Sequence, residues 1–294
     1  PKAEKLYKAL PAAVRSGPSL QYAYARWLRK NDRDAEAASL LVALPNDGRV
    51  ADPEQLWIER RIVARDLLGP SDKSHWPVAY RLAAQHGLTS GPYAAEAEFL
   101  AGWVALRFLN EPKVALTHFS KLDKLVTSRF DMARAAYWSG RAYAEMGDGA
   151  RAQSHYMQAA AFPTVFYGQL ARDALGQDNA PIPVEAINPS SNAKARVAAD
   201  DLVRAFQLLN EAGRKSELLT FLSPLANRFS TAEELSAVAA IVWDAGGPYL
   251  SVKLSKAASQ RGLDIDSWGY PLKALPDWKP IGPKVERALV FGLA

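Results

Sequence analysis

The sequence contains no cysteine. Disulfides, thiolate-held metals and thiol nucleophiles are therefore excluded. Histidine is scarce too: His75, His86, His118 and His155 are the only four, and none stands four residues from another as a helical metal pair would. No glycine-rich phosphate loop is present, because Gly246-Gly247-Pro248 reads as a helix stop. No apolar run approaches the roughly 18 residues that span a membrane. Long alternation of polar and β-branched residues is missing, so no sheet is expected. Charge of one sign is not concentrated. The 36 basic and 31 acidic residues leave +5, with a pI near 9.3, and are interspersed, as in Arg26-Trp27-Leu28-Arg29-Lys30-Asn31-Asp32-Arg33-Asp34. That is a solvated helical surface with a mild preference for anionic polymers. It is not the stripe that specific nucleic-acid recognition needs. The chain opens Pro1-Lys2-Ala3-Glu4, without initiator Met or signal peptide, and is expected to be a processed or trimmed product.

What is present is helical periodicity. Phe99, Leu100, Trp103, Leu106 and Leu109 share one face, as do Met132, Ala135, Ala136, Tyr143 and Met146. Asp52-Pro53-Glu54 reads as a cap, a first-turn proline and an acid favoured by the helix dipole. Asp200-Asp201 and Glu233-Glu234 are expected at helix starts for the same reason. Gly87, Gly147, Gly176, Gly213 and Gly262 each follow a helical stretch, where a left-handed cap is needed. Short helices between tight turns make antiparallel hairpins. The set Gly140, Tyr143, Ala152, Tyr156 and Ala159 fits a tetratricopeptide-like hairpin, in which small residues let two backbones approach. Gly102, Ala115, Phe119 and Leu122 repeat it, and Ala25, Ala37, Leu41 and Leu44 repeat it more faintly. The expected fold is all-α, a superhelix of degenerate helical hairpins.

Proline divides the chain. Pro181, Pro183 and Pro189 mark a linker or crossover over 178–193. It separates a U-shaped superhelical part, 1–177, from a further helical section, 194–262. A segment from Leu263 to Pro283, with Trp268, Tyr270 and Trp278, is expected to be extended but ordered. Val285, Leu289, Val290 and Leu293 then begin a helix that runs to Ala294 without a cap. Glu286, in that helix's first turn, reads as a dipole partner rather than a catalytic acid. No catalytic, metal-binding or cofactor-binding residue is expected.

Two stretches carry a resemblance. Phe162-Pro163-Thr164-Val165-Phe166-Tyr167-Gly168-Gln169-Leu170-Ala171, following Trp138-Ser139-Gly140-Arg141-Ala142, resembles a signature of soluble lytic transglycosylases. Tyr270-Pro271 through Ala294 resembles that family's connector and the first helix of its lysozyme-like domain, placing 263–294 as a connector plus a truncated catalytic start. The resemblance is specific mainly in 137–176 and 266–294.

It implies a periplasmic enzyme scaffold. Members cleave the N-acetylmuramic acid–N-acetylglucosamine bond without water, leaving a 1,6-anhydromuramoyl end. One glutamate acts as acid and then base, which requires a carboxyl whose pKa an apolar pocket raises. That glutamate lies in an Arg-Gln-Glu-Ser stretch just beyond the helix matched by Val285 to Ala294, so no residue here corresponds to it. The chain alone is expected to be inactive and to position peptidoglycan strands for its catalytic domain. Phe166, Tyr167 and Gln169 are the candidate substrate contacts. Peptidoglycan, the missing catalytic domain and other cell-wall proteins are the expected partners, with no nucleic acid and no membrane span. The rival reading is a tetratricopeptide-like adaptor that binds protein partners.

Overall fold

The computed structural model describes residues 2–46, 48, 50–69, 72–177, 182, 184, 186–271 and 274. Among these residues every regular element is helical and no strand occurs. The expected helix from Pro283, with Glu286, lies outside the described residues, as do Trp278 and, in the proline-rich linker, Pro181 and Pro183. The chain divides into two compact units, Pro1–Val126 with Phe130–Ala180, and Thr127–Arg129 with Pro181–Ala294.

The first unit holds α1 (Lys2–Ala9), α2 (Ala12–Arg15), α3 (Pro18–Arg29), α4 (Asp34–Ala43), α5 (Pro53–Asp66), α6 (Trp76–Ala84), α7 (Gly91–Arg107), α8 (Pro112–Leu125), nearly all of α9 (Arg129–Glu145), α10 (Gly149–Ala160) and α11 (Phe166–Ala174). Local signals set the helix ends. The Asp52 carboxylate accepts from the backbone N–H of Glu54 at 2.9 Å and of Gln55 at 3.3 Å, satisfying donors that the helix leaves open. Gly87, Gly147 and Gly176 all lie at positive φ, between 71° and 75°.

Close helix approach explains the repeated small residues. A Cβ placed on Gly102 of α7 would sit 2.5 Å from the Phe119 ring of α8. One on Gly140 of α9 would sit 2.7 Å from the Tyr156 ring of α10. The two hairpins thus use one packing device, an aromatic ring lying on a bare glycine. In the third, α3 and α4, Ala25 and Ala37 are wholly buried, with Leu41 beside them.

The second unit holds α12 (Ser191–Ala198), α13 (Asp201–Glu211), α14 (Leu218–Arg228), α15 (Ala232–Ser259) and α16 (Asp266–Gly269). Its core joins Val203, Phe206, Leu222, Leu235, Val242 and Leu254. Asp200 caps α13, and Thr231 and Glu234 form a reciprocal capping box at the start of α15. Gly246-Gly247-Pro248 is a helix stop as expected: Gly246 and Gly247 leave helical geometry, with Gly247 at φ 66° and ψ −156°, a region open to glycine alone, and a second helical piece starts at once.

Three expectations are corrected. Residues 191–193 are helical rather than linker, because Ser190 caps α12 by accepting from Ala193 N–H. Residues 266–269 form a helical turn rather than extended chain, and Trp268 packs on the same core as α13 to α15 instead of opening a separate connector. Finally, α15, at 28 residues, is long and apolar enough to cross a membrane, where no such run was expected. Its break at Gly246–Gly247 leaves two pieces, each shorter than the about 20 residues a span needs. Half of the qualifying window is buried in protein, as in a core helix.

Candidate functional site

The three residues singled out by the sequence lie on α11. The helix starts where it does because the chain makes a tight turn after α10, and Gly168 is obligatory there. A Cβ on Gly168 would lie 1.9 Å from the Phe162 carbonyl oxygen. The Phe-Tyr-Gly run therefore has a steric reason of its own.

Helical spacing then splits the trio. Phe166 and Gln169, three residues apart, both face out, and Phe166 is 58% exposed. Tyr167 turns inward and is half-buried. Its ring lies 5.8 Å from Tyr137, 5.4 Å from Phe130 and 5.1 Å from Phe166. Tyr137 continues inward to Tyr156 at 5.8 Å and Trp138 at 5.7 Å. The result is an aromatic tier, buried at Tyr137 and open at Phe130 and Phe166. Phe130 is missing from the sequence-derived site, yet its place in the first turn of α9, 44% exposed, puts it beside Tyr167.

Cations flank the tier. The Arg134 guanidinium lies 4.3 Å from the Phe99 ring centre and 5.7 Å from that of Phe130, with Asp131 at 2.7 Å from it. Arg141 lies 5.9 Å from the Trp138 ring and donates to the Tyr137 hydroxyl at 3.3 Å. Exposed rings beside guanidinium groups can hold the apolar faces and carboxylates of a polymer. They cannot perform acid–base cleavage. The acids that burial pushes up, Asp34 and Asp264, belong to α4 and to the segment before α16.

The histidines resolve into packing roles. No group of metal-ligating side chains occurs among the described residues. His75 lies 3.4 Å from Asp72. His155 stacks on Tyr143 at 5.2 Å, and burial pushes its pKa down. His86 and His118 meet at one buried carboxylate, which sequence reasoning missed. Glu98 contacts His118 Nδ1 at 2.6 Å, His86 Nε2 at 3.2 Å and Lys121 Nζ at 3.3 Å. The second nitrogen of His86 accepts from Leu88 N–H, and that of His118 meets the Tyr80 hydroxyl at 3.0 Å. Burial alone would raise the Glu98 pKa, but the hydrogen bonds from His118 and His86 outweigh it and hold the carboxyl well below its usual range. The signal was available: the register that sets Gly102 against Phe119 brings Glu98, one turn earlier on α7, opposite His118 and Lys121 on α8.

A second buried ion is Arg60. It donates to the carbonyls of Leu41 and Leu44 at the end of α4, to Asn46 and to the Gln85 carbonyl beyond α6. Burial lowers its pKa to about 10, so it remains charged at neutral pH. Compared with protein-family models, with curated proteins and with solved structures, the chain finds no match in any of the three.

Proposed function

We propose that this chain is the helical scaffold of a periplasmic peptidoglycan lytic transglycosylase, a tetratricopeptide-like superhelix that holds glycan strands for a catalytic domain. The observation that carries the reading is the aromatic tier. Trp138, Gly140, Tyr167 and Gly168 of the family-like motif gather with Tyr137 and Tyr156 in one cluster or pack directly on it, and the tier opens to solvent at Phe130 and Phe166. Rings with guanidinium neighbours suit a polymer of sugar faces and peptide carboxylates.

The scaffold itself is catalytically silent. Muropeptide chromatography of sacculi incubated with the chain tests this, and the expected profile shows no anhydromuropeptide release above the buffer control. Release by the chain alone contradicts the reading. Phe166→Ala should reduce sacculus retention without lowering the melting temperature, since the side chain is largely in water.

A second reading draws on exposed apolar side chains. Met157 and Phe166 are both more than half exposed, and large apolar side chains in water mark protein-binding faces. An adaptor of this kind would bind a soluble protein tightly while ignoring sacculi.

A further inference from the structure

The second unit holds an open cavity of about 740 Å³, within the range of small-molecule sites. It is independent of the aromatic tier and of the scaffold reading. Its walls come from the segment before α12, from α12, from the first half of α15, and from α16 with the residues after it. Ile187, Val197, Ile241, Trp243, Trp268 and Tyr270 make them largely apolar.

The wall is fixed before any ligand arrives. Trp268 Nε1 donates to the Ser236 hydroxyl at 2.9 Å, and that hydroxyl donates to the Ile187 carbonyl at 2.8 Å. Ser251 donates to the Trp268 carbonyl at 2.6 Å. Trp243 packs against the Trp268 ring at 6.0 Å. These bonds engage the Ser236 hydroxyl and the indole N–H, and apart from Asn188, Ser267 and Lys194 the rest of the lining is chiefly apolar, which suits an apolar body.

Charge sets the other end of the ligand. Among the described residues that line the cavity, Lys194 is the charged side chain and no carboxylate accompanies it. Lys194 makes no ion pair among the described residues and is exposed at the rim. An ammonium with no counterion among the described residues, beside an apolar trough, complements a ligand with one anionic head and an apolar tail. We infer that this cavity binds a soluble, medium-chain amphipathic carboxylate, its chain against Trp243 and Trp268 and its head on Lys194.

Calorimetric titration of the whole chain with decanoate tests the site, with decyltrimethylammonium as the cationic counterpart. Decanoate should bind saturably at one site, and the cation should not. Lys194→Met should weaken decanoate about ten-fold, equivalent to about 1.4 kcal/mol, while Lys194→Arg should stay within about two-fold, because a guanidinium still pairs with a carboxylate. Ala240→Trp, which fills the trough from α15, should abolish binding; Lys194→Met tests the same site without altering its shape. Equal binding of the cation, affinity unchanged in Lys194→Met, or sedimentation with phosphatidylglycerol vesicles without uptake of free decanoate would overturn the assignment.

Discussion

The two units solve the same problem, packing short helices, with different materials. The first sets small residues at crossings and buries ions between helices: Glu59 against Arg26 and Arg29, Arg60 against helix-end carbonyls, Glu98 against two histidines. The second gathers its short helices around one long, broken helix with an apolar core; of its buried charges, Glu234 serves a capping box and pairs with Arg196, and Arg129 pairs with Asp264 and Asp266. The many short helices of the first unit leave many helix ends, and their carbonyls need donors. A bundle around a central helix has fewer such ends to satisfy. In the first unit buried charge meets that need, with Arg60 of α5 tying together the ends of α4 and α6.

If that contrast is right, Arg60→Met should be the costliest change. It strips donors from several buried carbonyls and should cost about 4 kcal/mol. Hydrogen exchange should show the loss across α4 to α6, with protection in α13 to α15 unchanged.

Acid sharpens the contrast. The Glu98 carboxyl titrates below its ordinary range when folded. Its contribution is complete above the unfolded value near 4.3 and is lost as pH falls toward the folded value. Protection in the first unit should therefore decline between about pH 5 and pH 3 more steeply than in Glu98→Gln, which has no charge there to lose.

Glycine changes should give smaller and paired effects. Gly140→Leu and Gly102→Leu should each overpack an aromatic ring and cost about 1–3 kcal/mol. Gly247→Ala, in the second unit, should cost about 1–3 kcal/mol by backbone strain, not by crowding. Loss of the Asp52 cap in Asp52→Ala should be smallest, about 1 kcal/mol. Urea midpoints for this series check the order.

The legible parts of the fold are the local ones. Asp52, Gly147 and Glu234 act within one turn of where they stand, so residue type alone discloses their role. Gly102 and Gly140 were legible because each faces an aromatic residue at hairpin spacing. Arg60 was not, since its partners lie in three separate segments and no pattern links them. The turn at Asp266–Gly269 was hidden by the prolines that follow it. At the candidate site the motif pointed to Phe166, Tyr167 and Gln169, but only helical phase shows that Tyr167 turns inward. Phe130 joins them through tertiary packing of α9 on α11, which no single-segment reading contains. The cavity of the second unit was invisible for the same reason, its walls coming from separate stretches of chain.

The proposed scaffold role stands or falls on retention by purified sacculi across a salt series. A mildly basic surface with exposed rings should hold the polymer at low salt through many weak contacts. Retention should fall as ionic strength rises, because exposed charges are screened within about 8–10 Å at physiological salt. A residual fraction carried by the aromatic tier should be lost in Phe166→Ala. No retention of the intact chain at low salt, together with tight binding to a soluble protein, would contradict the account.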